Sequence, residues 1–176
     1  MIGNANVRLI AALGHGNVIG DGQTMGFSDR EDMLYFTKNT IYNPVVMGRR
    51  TWESLPYRVL KARLNIVLSR SLTPGYVQSN LVVVPDLERL RMLVEVLYPD
   101  GIQSLAPLWV IGGGEIYREF LPYADELWLT RMDVVLPGNV TFPEWDTDDF
   151  ECRQTVTDST SEGSREPNRY QVWSRR

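Results

Sequence analysis

The chain has 176 residues, 43% of them hydrophobic, enough for one globular domain over 1–176 with a sizeable core. A net charge of −4 argues against a general nucleic-acid binder, and no apolar run approaches the ~20 residues that a membrane span needs. Cys152 is the only cysteine and His15 the only histidine, so an intrachain disulfide and a Cys/His metal set are excluded, and proton chemistry falls to carboxylates, tyrosines or water. The start, Met-Ile-Gly-Asn-Ala-Asn, has neither a basic flank nor a signal-peptide core, so a cytoplasmic protein is expected.

Val7–Leu13 is apolar after Arg8 and predicts a buried, central strand. Gly14-His15-Gly16-Asn17 is a turn that, with Ile19 and Gly20, nearly imitates a nucleotide loop. It is one residue too long, and Asp21-Gly22-Gln23-Thr24 continues as loop rather than helix, which rules out an ordinary Rossmann start. His15 is expected as an exposed turn residue. Gly20 to Phe27 has the glycine spacing of a mobile lid and carries Met25. Ser28-Asp29-Arg30-Glu31 reads as a capping box, with Ser28 as N-cap of a helix to about Thr40. Asp32 and Phe36 lie four apart on one side of that helix, with Met33 beside them. An acid on an apolar face loses hydration on folding, which marks Asp32 as a candidate functional acid; a partly exposed first-turn acid is the alternative.

Pro44–Gly48 is a second strand, followed by the turn Gly48-Arg49-Arg50-Thr51 and a short helix through Trp52 and Leu55. Two arginines and a hydroxyl at a strand end suit either a phosphate grip or a solvated basic turn. Leu64–Leu68 is a third strand ending in Ser69-Arg70. If these strands are neighbours, their carboxyl ends bring Arg49, Arg50, Ser69 and Arg70 together, where open sheets bind ligands. Leu81–Val84 is a fourth strand, and Asp86 caps a helix with Leu87, Leu90, Leu93, Val94 and Leu97 on one face, a packing stripe. Leu108–Ile111 is a short buried strand, stopped by Gly112-Gly113-Gly114, and a helix runs from Glu115 with Ile116, Tyr117, Phe120 and Leu121 on one side. Glycines at a helix start suit a phosphate, or make a tight turn only; the dinucleotide fingerprint fails because Tyr117 stands at its last glycine. Glu126–Met132 is a strand, and Phe150–Thr157 with Tyr170–Ser174 forms a closing hairpin. The predicted fold is α/β: a central, mostly parallel twisted sheet with an antiparallel C-terminal hairpin and about four flanking helices.

From Val7 to Trp173 the chain resembles dihydrofolate reductase. The marks are Leu9-Ile10-Ala11-Ala12, Asn17-Val18-Ile19-Gly20, Asp32 with Phe36, Val46 to Ser54 (VMGRRTWES), Asn65 to Arg70 (NIVLSR), Val110 to Tyr117, Leu129-Thr130 and Phe142-Pro143. The resemblance implies reduction of 7,8-dihydrofolate with NADPH as cofactor, by a monomer with no metal, nucleic-acid or membrane partner. Asp32 would bind the pterin amino group and ring nitrogen as a carboxylate, supported by the Thr130 hydroxyl; these two form the catalytic pair. Ile10 and Ile111 would bracket the pterin with carbonyls, Ala11, Met33, Phe36, Leu55 and Tyr117 would complete the substrate site, and Arg63 would meet the glutamate tail. The cofactor would lie on Ala12, Ile19, Gly20 and Met25, on Gly48, Arg49, Arg50 and Thr51, on Leu68, Ser69 and Arg70, and on Ile111, Gly113, Gly114, Glu115, Ile116 and Tyr117. The family also carries a cis peptide at the position of Gly112–Gly113.

The chain departs from the family's usual pattern in three places. Gly26-Phe27 replaces Pro-Trp and Asp29-Arg30 replaces Leu-Pro; Val59-Leu60-Lys61-Ala62-Arg63 replaces Pro-Leu-Pro-Gly-Arg; Asn139 replaces an aspartate in the turn that braces the mobile loop. Phenylalanine has no N–H to hold a water, and glycine for proline loosens a loop, so slower turnover and weaker loop closure are expected. Two rivals are a catalytically weak NADPH/folate-binding module and a same-fold pyrimidine reductase of riboflavin synthesis, which would not need an acid at Asp32.

Overall fold

The computed structural model describes residues 2–23, 29–99, 106–158 and 166–176. Eleven strands and four α-helices are described, and nine of the strands form one sheet. In chain order they are β1 (Val7–Leu13), β2 (Val18–Gly20), α1 (Arg30–Thr40), β3 (Val45–Gly48), α2 (Arg49–Ser54), β4 (Asn65–Leu68), β5 (Gly75–Gln78), β6 (Leu81–Val84), α3 (Leu87–Leu97), β7 (Leu108–Val110), α4 (Gly114–Phe120), β8 (Glu126–Arg131), β9 (Val140–Thr141), β10 (Phe150–Thr157) and β11 (Arg169–Arg175). The main sheet runs β10-β11-β8-β1-β7-β3-β4-β6-β5. Its interior pairings, from β8–β1 to β4–β6, are parallel. The closing hairpin and its pairing to β8 are antiparallel, as is β5 on β6 at the other edge.

The interior strands are covered on both faces, which is why β3, β6 and β7 read as apolar runs and β4 follows its buried Asn65 with three apolar residues. Successive residues point to opposite faces. Along β1, Leu9 enters a cluster with Leu90, Val94 and Phe120 from α3 and α4. Ile10 enters the other, with Met47, Val67 and Trp109, onto which Tyr35, Phe36, Trp52 and Leu55 pack. Helices α1 and α2 therefore cover one face, and α3 and α4 the other.

Several boundaries differ from the sequence reading. Asp29, not Ser28, caps α1: its Oδ1 accepts from the Asp32 N–H at 2.8 Å. Ser28, with Met25, Gly26 and Phe27, lies outside the described residues. Arg49 and Arg50 form the first turn of α2 rather than a preceding loop, with Gly48 as N-cap. β2, β9 and β5 were not anticipated: the first two have only three and two residues, and all four residues of β5 are exposed, so none carries a burial pattern. No described helix is long and apolar enough to cross a membrane.

Candidate active site

The carboxyl ends of β1, β3, β4 and β7 open into a cleft of about 1000 Å³, large enough for a dinucleotide and a second ring system. Register aligns Gly48 at the end of β3 with Leu68 at the end of β4. Arg49, Arg50 and Thr51 from α2 and Ser69 and Arg70 after β4 thus line one end of the cleft together, as the sequence implied. In an acidic chain this local excess of guanidinium groups is the chemistry of a phosphate site. Arg49 is steadied by Glu53, with Nη1 3.1 Å from Oε1.

The glycine stretch closes the floor. The Gly112–Gly113 peptide is cis, and Gly112 has φ +111. A Cβ on Gly112 would lie 3.0 Å from the Tyr117 ring, and one on Gly114 would lie 2.8 Å from Val140 Cγ1. Both positions must be glycine for the strand-to-helix turn to pack. Gly113 differs, since a Cβ there would meet only Thr51 Oγ1 at 3.5 Å. Gly113, Gly114, Glu115, Ile116 and Tyr117 all border the cleft, as do Ala11 and Ala12 from β1, Ile19 and Gly20 from β2, Leu68, and Ile111 after β7.

Asp32 stands at the opposite end, at the third position of α1, half-buried and on the cleft wall with Met33. The Thr130 hydroxyl hydrogen-bonds its carboxylate; Thr130 itself is 1% exposed on β8. Burial pushes the Asp32 pKa up, Thr130 opposes this, and the Asp29 charge adds to the rise. Burial also lifts the Tyr35 and Tyr170 phenols to about 12, so both are neutral hydroxyls near pH 7. Met33 is more open than an apolar-face reading suggests, at 47% exposure. Phe36 and Leu55 are half-buried on the cluster beside Ile10.

Tyr117 is buried, and its hydroxyl donates to the Ile10 carbonyl at 2.6 Å. Its ring, rather than its oxygen, therefore faces the cleft. Arg63 is buried at the far end of α1, with Nε 3.0 Å from Thr40 Oγ1 and Nη1 2.8 Å from the Lys61 carbonyl, and its guanidinium lies 5.8 Å from the Phe36 ring centroid. It sits apart from the large cleft, beside the outer end of the Phe36 surface. Met25 falls outside the described residues. His15 is exposed, with Nε2 2.8 Å from Asp133 Oδ1, and is not among the residues lining the cleft. Sequence reasoning missed Arg118, Glu119 and Asp86 on the cleft wall. Arg118 lies four residues after Gly114, one helical turn, which is the signal that could have found it. No group of His, Cys, Asp and Glu among the described residues could hold a metal ion.

A mixed sheet whose carboxyl ends open into a cleft lined by Arg49, Arg50 and Arg70 and by the hydroxyl-supported acid Asp32 defines an α/β nucleotide-dependent enzyme class. The sequence model of the family described as Dihydrofolate reductase matches residues 6–175. The chain is 32% identical over 168 residues to a dihydrofolate reductase of Haemophilus influenzae, covering 96% of this chain and 98% of that one. It is 37% identical over 139 residues to a dihydrofolate reductase type 3 of Salmonella typhimurium, covering 79% of each. Among solved structures, a dihydrofolate reductase from Enterococcus faecalis complexed with NADP(H) and RAB-propyl superposes with a TM-score of 0.80 at 26% identity, covering 98% of this chain and 96% of that one. The chain belongs to the dihydrofolate reductase family.

Proposed function

We propose that the chain reduces 7,8-dihydrofolate to 5,6,7,8-tetrahydrofolate with NADPH, supplying tetrahydrofolate for one-carbon metabolism, as a monomeric, single-domain cytoplasmic enzyme and an antifolate target. The observation that carries this reading is the Asp32 carboxylate, half-buried and held by Thr130, facing the same cleft as Arg49, Arg50 and Arg70. A pyrimidine reductase has no use for that acid.

The cofactor fits the residues present. Arg49, Arg50, Thr51, Ser69 and Arg70 would hold its phosphates, and the bare face of Gly113 admits a group that a side chain would exclude. When bound, NADPH supplies a hydride. The chain's own residues orient and polarise. The Asp32 carboxylate accepts from the pterin amino group and ring nitrogen, and the Ile10 and Ile111 carbonyls bracket the ring. Phe36 and Leu55 line its apolar side, and Arg63 holds the tail carboxylate. Asp32 stabilises the pterin as it takes up a proton from water, so its role is electrostatic. Setting the two rings face to face is the larger contribution.

The test is to mix protein, NADPH and dihydrofolate and follow absorbance in the nicotinamide band. Consumption that needs dihydrofolate is expected; tight binding of both without consumption would leave the binding module, and consumption with a pyrimidine substrate alone would leave the other reductase.

A further inference from the structure

Thr130 and Arg131 are consecutive on β8 and point to opposite faces of the sheet. Thr130 reaches Asp32. Arg131 turns the other way: its Nη1 donates to Asn17 Oδ1 at 2.5 Å, its Nε donates to Gln171 Oε1 at 3.4 Å, and its guanidinium lies 5.2 Å from the Trp145 ring centroid. Asn17 is held in a left-handed conformation, φ +59, which asparagine tolerates better than other side chains. Its carbonyl accepts from the Phe142 N–H at 2.9 Å, and the next residue begins β2, which pairs with β9. β2 then delivers Ile19 and Gly20 to the cleft wall, and Gly22 follows two residues on.

We propose that Arg131 and Asn17 form a clamp that positions β2, and with it Ile19 and Gly20, on the cofactor side of the cleft. Both are positioning residues: they act through β2 and touch neither ligand. A half-buried guanidinium places one N–H on the Asn17 amide oxygen and another on Gln171, with Trp145 covering its face, so the contact fixes direction as well as distance. Arginine is charged at every accessible pH, so the clamp does not loosen with acidity. Through β8, one strand then sets both the substrate acid and β2. The inference rests on the NADPH-dependent reading above.

The test uses the full chain and four proteins: wild type, Arg131→Gln, Asn17→Gly, which keeps the left-handed backbone, and the double variant. NADPH affinity is read by nicotinamide fluorescence, dihydrofolate KM by steady-state assay, and stability by thermal melting. Each single change is expected to weaken NADPH binding about tenfold, the size of one charge-assisted hydrogen bond. The double variant should be no weaker than the worse single, because both remove the same contact. The KM for dihydrofolate should stay within about twofold of wild type, and Arg131→Lys should recover part of the loss. Independent, multiplying effects of the two changes would overturn the clamp. So would losses that fall equally on both ligands in step with the melting temperature, or single variants with wild-type NADPH affinity. If wild type turns over dihydrofolate while the variants bind NADPH normally, only the clamp fails; if wild type does not bind NADPH, both readings fail.

Discussion

Tyr117→Phe isolates one bond that ties the glycine stretch to β1. The phenol oxygen is buried in a residue 4% exposed and donates to the Ile10 carbonyl at 2.6 Å, while the ring packs against Gly112 and lies 4.8 Å, centroid to centroid, from Phe142. Phenylalanine keeps those ring contacts and deletes one hydroxyl. The loss is a neutral hydrogen bond, about 1 kcal/mol, plus part of the cost of leaving a buried carbonyl short of a partner, about 1 kcal/mol more. A total of about 2 kcal/mol lowers Tm by roughly 4–8 °C in a chain of this size. The Ile10 carbonyl is also a proposed acceptor for the pterin, so a bound folate offers a replacement donor. The destabilisation should therefore shrink when melting is repeated with saturating dihydrofolate. The assay is thermal melting with and without ligand, at one pH. A variant that melts within about 1 °C of wild type without ligand would show the hydroxyl to be hydrated rather than bonded to Ile10.

Gly114→Ala should be poorly tolerated, because its Cβ would lie 2.8 Å from Val140 Cγ1 and 3.2 Å from the Thr141 carbonyl. A loss of about 1–3 kcal/mol by denaturant unfolding is expected, and an unchanged midpoint would contradict the packing at that turn. Asp32 makes stability depend on pH with a definite sign. Its pKa is raised in the fold, so its contribution is fully favourable below the ordinary value of 3.8 and is lost as pH rises through the folded value. Asp32→Asn should accordingly melt higher than wild type at neutral pH without ligand, with the gap closing toward acid; a gap constant with pH would remove desolvation as its cause. With Asn139 exposed on the cleft rim and glycine at 26, loop closure should be weak, and stopped-flow fluorescence should show slow hydride transfer that lets substrate escape. A fast, fully committed burst would contradict this.

The interior of the sheet was legible because strands covered on both faces leave apolar runs: β3, β6 and β7 throughout, β1 after Arg8 and β4 after Asn65. The clustering of Arg49, Arg50, Ser69 and Arg70 followed from two such strands being parallel neighbours. What stayed hidden is set by partners distant in sequence. β5 has no buried residue to give a period, and β2 and β9 are too short to show one. The cap of α1 was misplaced by one residue because Ser28 and Asp29 are both good caps, and only the Asp29–Asp32 geometry separates them. The Tyr117–Ile10 bond spans 107 residues and the Arg131–Asn17 bond 114, so no local spacing announces either. Asp32 was legible from its place beside Phe36, whereas the hydroxyl that supports it entered only through the family resemblance.

In the proposed mechanism one half-buried carboxylate, Asp32, stabilises a pterin as it gains a proton. At about 4 Å and an effective dielectric of about 20, a charge pair is worth about 4 kcal/mol, or roughly 10³ in rate. The most direct measurement is single-turnover hydride transfer in Asp32→Asn, with NADPH and dihydrofolate saturating, across pH. The account predicts a rate near 10³-fold below wild type at pH 7, unchanged NADPH affinity, and a deficit that narrows in acid, where the substrate arrives already protonated. A variant that transfers hydride at the wild-type rate at pH 7 would contradict it.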